Sequence, residues 1–117
     1  MVEHYERSFQ RGFDKMPPET QVIFINHLKA DYRQILLIYF NTADSSLKTR
    51  IDQFIIKLFE HNVTVPQIIE MHMEIIDDFS KQLRLEGRKD EIVMDYRLTL
   101  IEILAQLCEM YRCYIHK

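Results

Sequence analysis

The stretch EIVMDYRLTLIEILAQLCEMYR, residues 91–112, decides the fold of this chain. No glycine or proline interrupts it. On a helix turning about 100° per residue, Asp95, Thr99, Glu102, Gln106, Glu109 and Arg112 crowd one polar strip. The rest is apolar and falls into two families. Ile92, Tyr96, Ile103, Leu107 and Met110 form one face, and Met94, Leu98, Ile101, Ala105 and Cys108 form another. A helix on the outside of a small bundle needs only one buried stripe. The second face is covered either by neighbouring helices or by a second copy of the chain paired across a two-fold axis. The pairing is the expectation. Met94, Leu98, Ile101, Ala105 and Cys108 then form the dimer seam. Arg97 stands at its edge, its aliphatic stem along the apolar surface and its guanidinium reaching a carboxylate.

Upstream, the same kind of periodicity gives three more helices. Pro17 and Pro18 suit a helix entry, with Glu19 favouring its positive end. The pattern runs to about Asn41 and predicts burial of Val22, Ile25, Leu28, Tyr32, Ile35 and Tyr39. NTADSS (41–46) is a turn in which Asp44 or Ser45 caps a second helix bearing Leu47, Ile51, Phe54, Ile55, Leu58 and Phe59. Thr64 with Gln67 three positions on is a capping-box pattern, Pro66 lies inside the first turn, and Val63 and Ile68 are spaced as a hydrophobic staple. Ile69, His72, Ile75, Ile76, Phe79 and Leu83 continue the third helix, and Gly87 is its C-cap. The last helix begins in RKDE (88–91). No stretch alternates long enough for a strand in the body of the chain, so the fold class is all-α: a four-helix bundle over residues 17–117, homodimeric. Residues 1–16, with Tyr5, Phe9 and Phe13 every fourth position, read as a linker-like arm that includes a short strand.

The totals fit one domain. The chain has 117 residues, 47% hydrophobic and 28% charged, with two glycines, three prolines and no tryptophan. A formal charge of −3 with no basic block argues against a nucleic-acid partner. ILLIYF (35–40) is too short to span a bilayer and there is no signal peptide, so no membrane partner is expected. Cys108 and Cys113 point apart on one helix and cannot pair there, which with the missing export signal suggests a reducing cytoplasm. His4, His27, His61, His72 and His116 are scattered and match no metal or catalytic spacing. His27 and Asp31 lie one turn apart, a spacing common by chance on charged helices. Ser45, Ser46 and Lys48 read as a helix start. No glycine-rich phosphate loop is present. The residues point to a helical, dimeric interaction module without an active site, a metal or a cofactor.

Several stretches carry a resemblance. FSKQLRLEGRKDEIVMDYRLTLIEILAQLCEMYR (79–112) resembles the C-terminal domain of the KaiA circadian clock family, and YFNT (39–42), RIDQFI (50–55) and VPQIIEMHMEIIDDFSKQL (65–83) fit the same register. The likeness covers roughly residues 13–115. It implies a non-enzymatic homodimer that binds the C-terminal tail of the kinase KaiC and stimulates KaiC autophosphorylation, with KaiB opposing by sequestration. The dimer groove would select one conformation of a flexible tail. Longer family members carry an N-terminal receiver-like domain for which this chain has no room, so it reads as a short form.

The resemblance also singles out residues. Glu102, Gln106 and Glu109 would line the tail groove, with Arg84 from the LRLEGR turn. Phe59 and Asp77 match family positions near the groove or the seam. Family members carry a histidine before LCEMYR, whereas this chain has Gln106, which hydrogen-bonds but does not titrate near neutrality. The arm 1–16 would contact KaiB or fold back over the groove. Two other readings remain beside this one: a purely structural helical dimer, and a histidine-phosphotransfer bundle with His72 as acceptor.

Overall fold

The computed structural model describes residues 15–39, 44–85 and 91–116, leaving aside the side chains of 83, 84 and 91–95. Most of the arm 1–16, the start of the NTADSS turn and Gly87 lie outside the described residues. The four helices are α1 (Pro18–Ile38), α2 (Leu47–Glu60), α3 (Val65–Leu85) and α4 (Glu91–Ile115), and no strand occurs among the described residues.

Local chemistry sets the starts. Pro18 opens α1, where its missing N–H loses nothing. α2 starts later than the turn pattern suggests. Its N-cap is Ser46, which makes no side-chain cap bond. Asp44 instead accepts the Ser46 N–H at 2.8 Å and the Ser46 hydroxyl at 2.5 Å, closing a turn ahead of the helix. The α3 box is present in full. The Thr64 N–H donates to Gln67 Oε1 at 2.8 Å, and the Gln67 N–H donates to Thr64 Oγ1 at 3.3 Å. Val63 and Ile68, the staple pair, are both buried.

Contacts between side chains fix the helix directions. Phe24 stacks on His61 and Asp31 meets Lys57 at 2.8 Å, so α1 and α2 are antiparallel. Lys29–Glu74 at 2.6 Å and Arg33–Asp78 at 3.4 Å climb together, which makes α1 and α3 parallel. Phe79–Tyr96 and Phe59–Tyr111 then set α4 antiparallel to α3 and parallel to α2. α1 and α4 each pack chiefly against α2 and α3, so the order around the bundle is α1, α2, α4, α3.

The core gathers Leu28, Tyr32, Ile35 and Leu36 from α1, Ile51, Phe54, Ile55 and Leu58 from α2, Ile68, Met71 and Ile75 from α3, and Ile103 and Leu107 from α4. Val22, expected inside, is 61% exposed. The inward position of that turn belongs to Gln21, whose side-chain amide donates to the Met16 carbonyl at 3.0 Å, and the next residue is rotated outward by about 100°. Ile69 is also exposed, because Ile68 and His72 take the inward positions of α3.

Candidate functional site

On α4, Thr99, Ile103 and Leu107 are buried, with Tyr96, Leu100, Leu104, Met110 and Tyr111 half-buried around them. Thr99 was grouped with the polar strip by its residue type and its angle on the helix. It lies at the strip's edge nearest the core, and among the described side chains the strip at the surface begins with Glu102.

The opposite face is apolar and open. Leu98 is 54% and Ile101 62% exposed, and Ala105 and Cys108 are exposed in line with them. At 100° per residue this line points almost directly away from Ile103 and Leu107, so α2 and α3 do not reach it. Ile115, exposed and one heptad beyond Cys108, extends the line to about 25 Å at 1.5 Å per residue. Arg97 is exposed beside it. On α3, Ile69 and Met73 are exposed on the side turned towards α4, away from the Glu74 and Asp78 side that meets α1. An apolar line of this length bordered by polar residues has the form of a contact surface. Ile115 was legible by its spacing. Ile69 and Met73 were not, because their exposure depends on which helices flank α3.

The polar strip runs alongside. Glu102 accepts the Tyr39 hydroxyl at 2.9 Å and the Gln106 amide at 3.3 Å. Burial, and then Glu102, raise the pKa of Tyr39 above the ordinary phenol value, so it remains a donor. Arg112 Nε donates to Glu109 at 2.9 Å, and this hydrogen bond holds the Glu109 carboxyl below the usual carboxylate range. Glu102, Gln106 and Glu109 therefore form one pre-ordered strip along α4. Phe59 is half-buried under the end of α4, with ring centroids 4.9 Å from Tyr111 and 5.4 Å from Tyr114. Asp77 is exposed on α3 and pairs with Lys81 at 3.1 Å, within its own helix and apart from the strip. The side chains of Arg84 and Met94 lie outside the described residues.

The other candidates are accounted for locally. His72 is 4% exposed and bonded through Nδ1 to the Tyr32 hydroxyl, which leaves no accessible acceptor for a phosphoryl group. Asp31, opposite His27 in sequence, is engaged by Lys57. The Ser46 hydroxyl sits between Asp44 and Arg50 at the start of α2. Among the described residues no cluster of histidine, cysteine or carboxylate has the form of a metal site, and no helix is long and apolar enough to cross a membrane.

Comparison with known proteins gives a consistent pattern. The KaiA C-terminal domain family matches residues 1–117. A circadian clock oscillator protein KaiA from Nostoc sp. is 65% identical over 97 residues, covering 83% of this chain and 94% of that protein. One from Acaryochloris marina is 47% identical over 114 residues, covering 97% of this chain but 38% of its own length. The chain thus spans nearly all of one relative and little more than a third of another. Among solved structures, the C-terminal domain of Thermosynechococcus elongatus BP-1 KaiA superposes with a TM-score of 0.73 at 49% identity, over 86% of this chain and 93% of that one. KaiA from PCC7120 superposes with a TM-score of 0.67 at 61% identity, over 77% of this chain and 90% of that one.

Proposed function

The chain belongs to the KaiA C-terminal domain family, and from that premise we propose that it is a cytoplasmic, non-enzymatic clock component that activates the kinase KaiC as a homodimer. Two copies pair their α4 helices along Leu98, Ile101, Ala105 and Cys108, with Met94 continuing the seam and Arg97 at its edge. The open apolar line on α4 is the observation that carries this reading. A monomer leaves that line in water. Burying apolar surface at about 25 cal/mol per Å² favours a partner that presents the same line.

The strip of Glu102, Gln106 and Glu109 borders the groove that such a pairing creates, and it receives the C-terminal tail of KaiC. Phe59, Asp77 and Arg84 contribute from the adjoining helices, and the arm 1–16 contacts KaiB. Holding the tail exposed shifts KaiC towards autophosphorylation, and KaiB opposes this by sequestering the dimer. Because a ligand moves an equilibrium only through its preference for one state, the groove must bind the extended tail better than the retracted one. Phosphoryl transfer belongs to KaiC. With Gln106 at the histidine position of the family, no pH-dependence of tail binding arises there.

The test is KaiC autophosphorylation with and without this chain, at matched dimer concentration, with KaiC lacking its C-terminal tail as control. Stimulation that disappears with the tail is expected. Equal stimulation of both kinases, or none of either by a folded dimer, contradicts the assignment.

A further inference from the structure

A titratable pair lies at the centre of the bundle, and neither the seam nor the tail groove uses it. Tyr32 on α1 is 0% exposed and His72 on α3 is 4% exposed. The Tyr32 hydroxyl and His72 Nδ1 share a hydrogen bond, and the two rings meet edge-on with centroids 5.7 Å apart at 82°. Phe54 of α2 closes the cluster, 5.7 Å from the Tyr32 ring. Burial raises the pKa of Tyr32, so the phenol keeps its proton and donates. If the phenol accepted from Nδ1–H instead, its own buried hydrogen would have no partner, so Nδ1 accepts and the single proton of the neutral imidazole sits on Nε2.

We propose that the Tyr32–His72 pair is an acid-operated latch between α1 and α3, closed while His72 is neutral and opened when it takes a second proton. Protonation at Nδ1 removes the acceptor and strands the buried phenol hydrogen. A buried donor left without a partner loses its hydration with nothing in exchange.

Among the described residues no carboxylate acts on His72 as a counter-ion. From α4, among the described side chains, the charged group acting on His72 is Arg97, which has the same sign. The Thr99 hydroxyl on that helix is buried and has no hydrogen-bond partner. From α2 the uncharged Phe54 ring packs on the Tyr32 side of the pair, and Lys57 on that helix is paired with Asp31 of α1. On the α1–α3 seam, Lys29 and Arg33 already hold Glu74 and Asp78 at the rim. Burial first, and Arg97 second, lower the pKa of His72 from the ordinary 6.5. The unfolded chain therefore takes the proton at a higher pH than the folded one. The stabilisation from neutral His72 is complete above 6.5 and is lost as pH falls from there through the lower folded value.

The latch is independent of KaiC and is tested on the full chain alone. Nitrogen-15 NMR of the histidine rings is expected to show His72 as the Nε2–H tautomer, titrating below the ordinary imidazole pKa of about 6.5. The urea midpoint of the wild type should fall between about pH 7.5 and about pH 5.5, and His72→Gln, which still accepts from Tyr32 but does not titrate, should flatten that fall. Tyr32→Phe should move the His72 titration upward, a readout that does not require the glutamine variant to fold. A His72 that titrates at or above 6.5, an equal pH slope in wild type and His72→Gln, or a titration unmoved by Tyr32→Phe overturns the proposal.

Discussion

Thr99 is fully buried on the inward side of α4, yet its hydroxyl has no hydrogen-bond partner. Its neighbours in the core, Ile103 and Leu107, are apolar. A buried hydroxyl without a partner costs about 1–3 kcal/mol. Valine has nearly the same shape and the same β-branching. Thr99→Val is therefore expected to stabilise the chain by about 1 kcal/mol, read as a higher urea midpoint at unchanged m-value. A loss of stability would mean that the hydroxyl is bonded in solution. The ion pairs on the rim work differently. Lys29–Glu74 and Arg33–Asp78 are partly to largely exposed, so each is worth at most about 1 kcal/mol and mainly fixes the relative height of α1 and α3. Thr99 also shows a limit of reading by residue type. Its hydroxyl and its angle, about 20° from Gln106, placed it with the strip, whereas it is also within about 40° of Ile103 and the packed bundle buries it.

At the scale of the element, two of the helix starts were written in local chemistry. The box at Thr64 and Gln67, the staple of Val63 and Ile68, and Pro18 at the first position of α1 all stand where short-range rules put them. Thr64→Ala removes the acceptor for the Gln67 N–H and should cost about 1 kcal/mol, measured by chemical denaturation. A cost near zero would mean that the 3.3 Å bond contributes nothing in water. α2 was harder to place. Asp44, Ser45 and Ser46 are all cap residues, and only the folded turn shows that Asp44 binds Ser46 ahead of the helix instead of capping it. Burial on α1 was misread at Val22 for a related reason. A stripe about 100° wide can be drawn one residue off, and on this turn Gln21 takes the inward position because its amide reaches the Met16 carbonyl five residues back.

For the whole molecule, the four-helix architecture was legible because apolar periodicity survives in every segment. The ring order α1, α2, α4, α3 was not, since it depends on pairs as distant as Phe59 with Tyr111 and Arg33 with Asp78. The surplus face of α4 was legible as a surplus, and the fold leaves Leu98, Ile101, Ala105 and Cys108 uncovered by neighbours within the chain. The two clusters on this molecule have separate roles. Tyr32 and His72 bond inside the bundle, while the α4 line faces outward and Glu102 and Glu109, proposed for the groove beside it, are held by Tyr39 and Arg112. The central claim is that the outward line joins two copies. Its most direct test is the solution mass of the wild type and of Ile101→Glu, by sedimentation equilibrium, with helicity followed by circular dichroism. Ile101 is 62% exposed in the single chain, so a carboxylate there leaves the core intact but places like charges at a two-fold seam. The account predicts twice the chain mass for the wild type and the single-chain mass for Ile101→Glu, at equal helicity. A monomeric wild type, or an Ile101→Glu dimer as tight as the wild type, would contradict it.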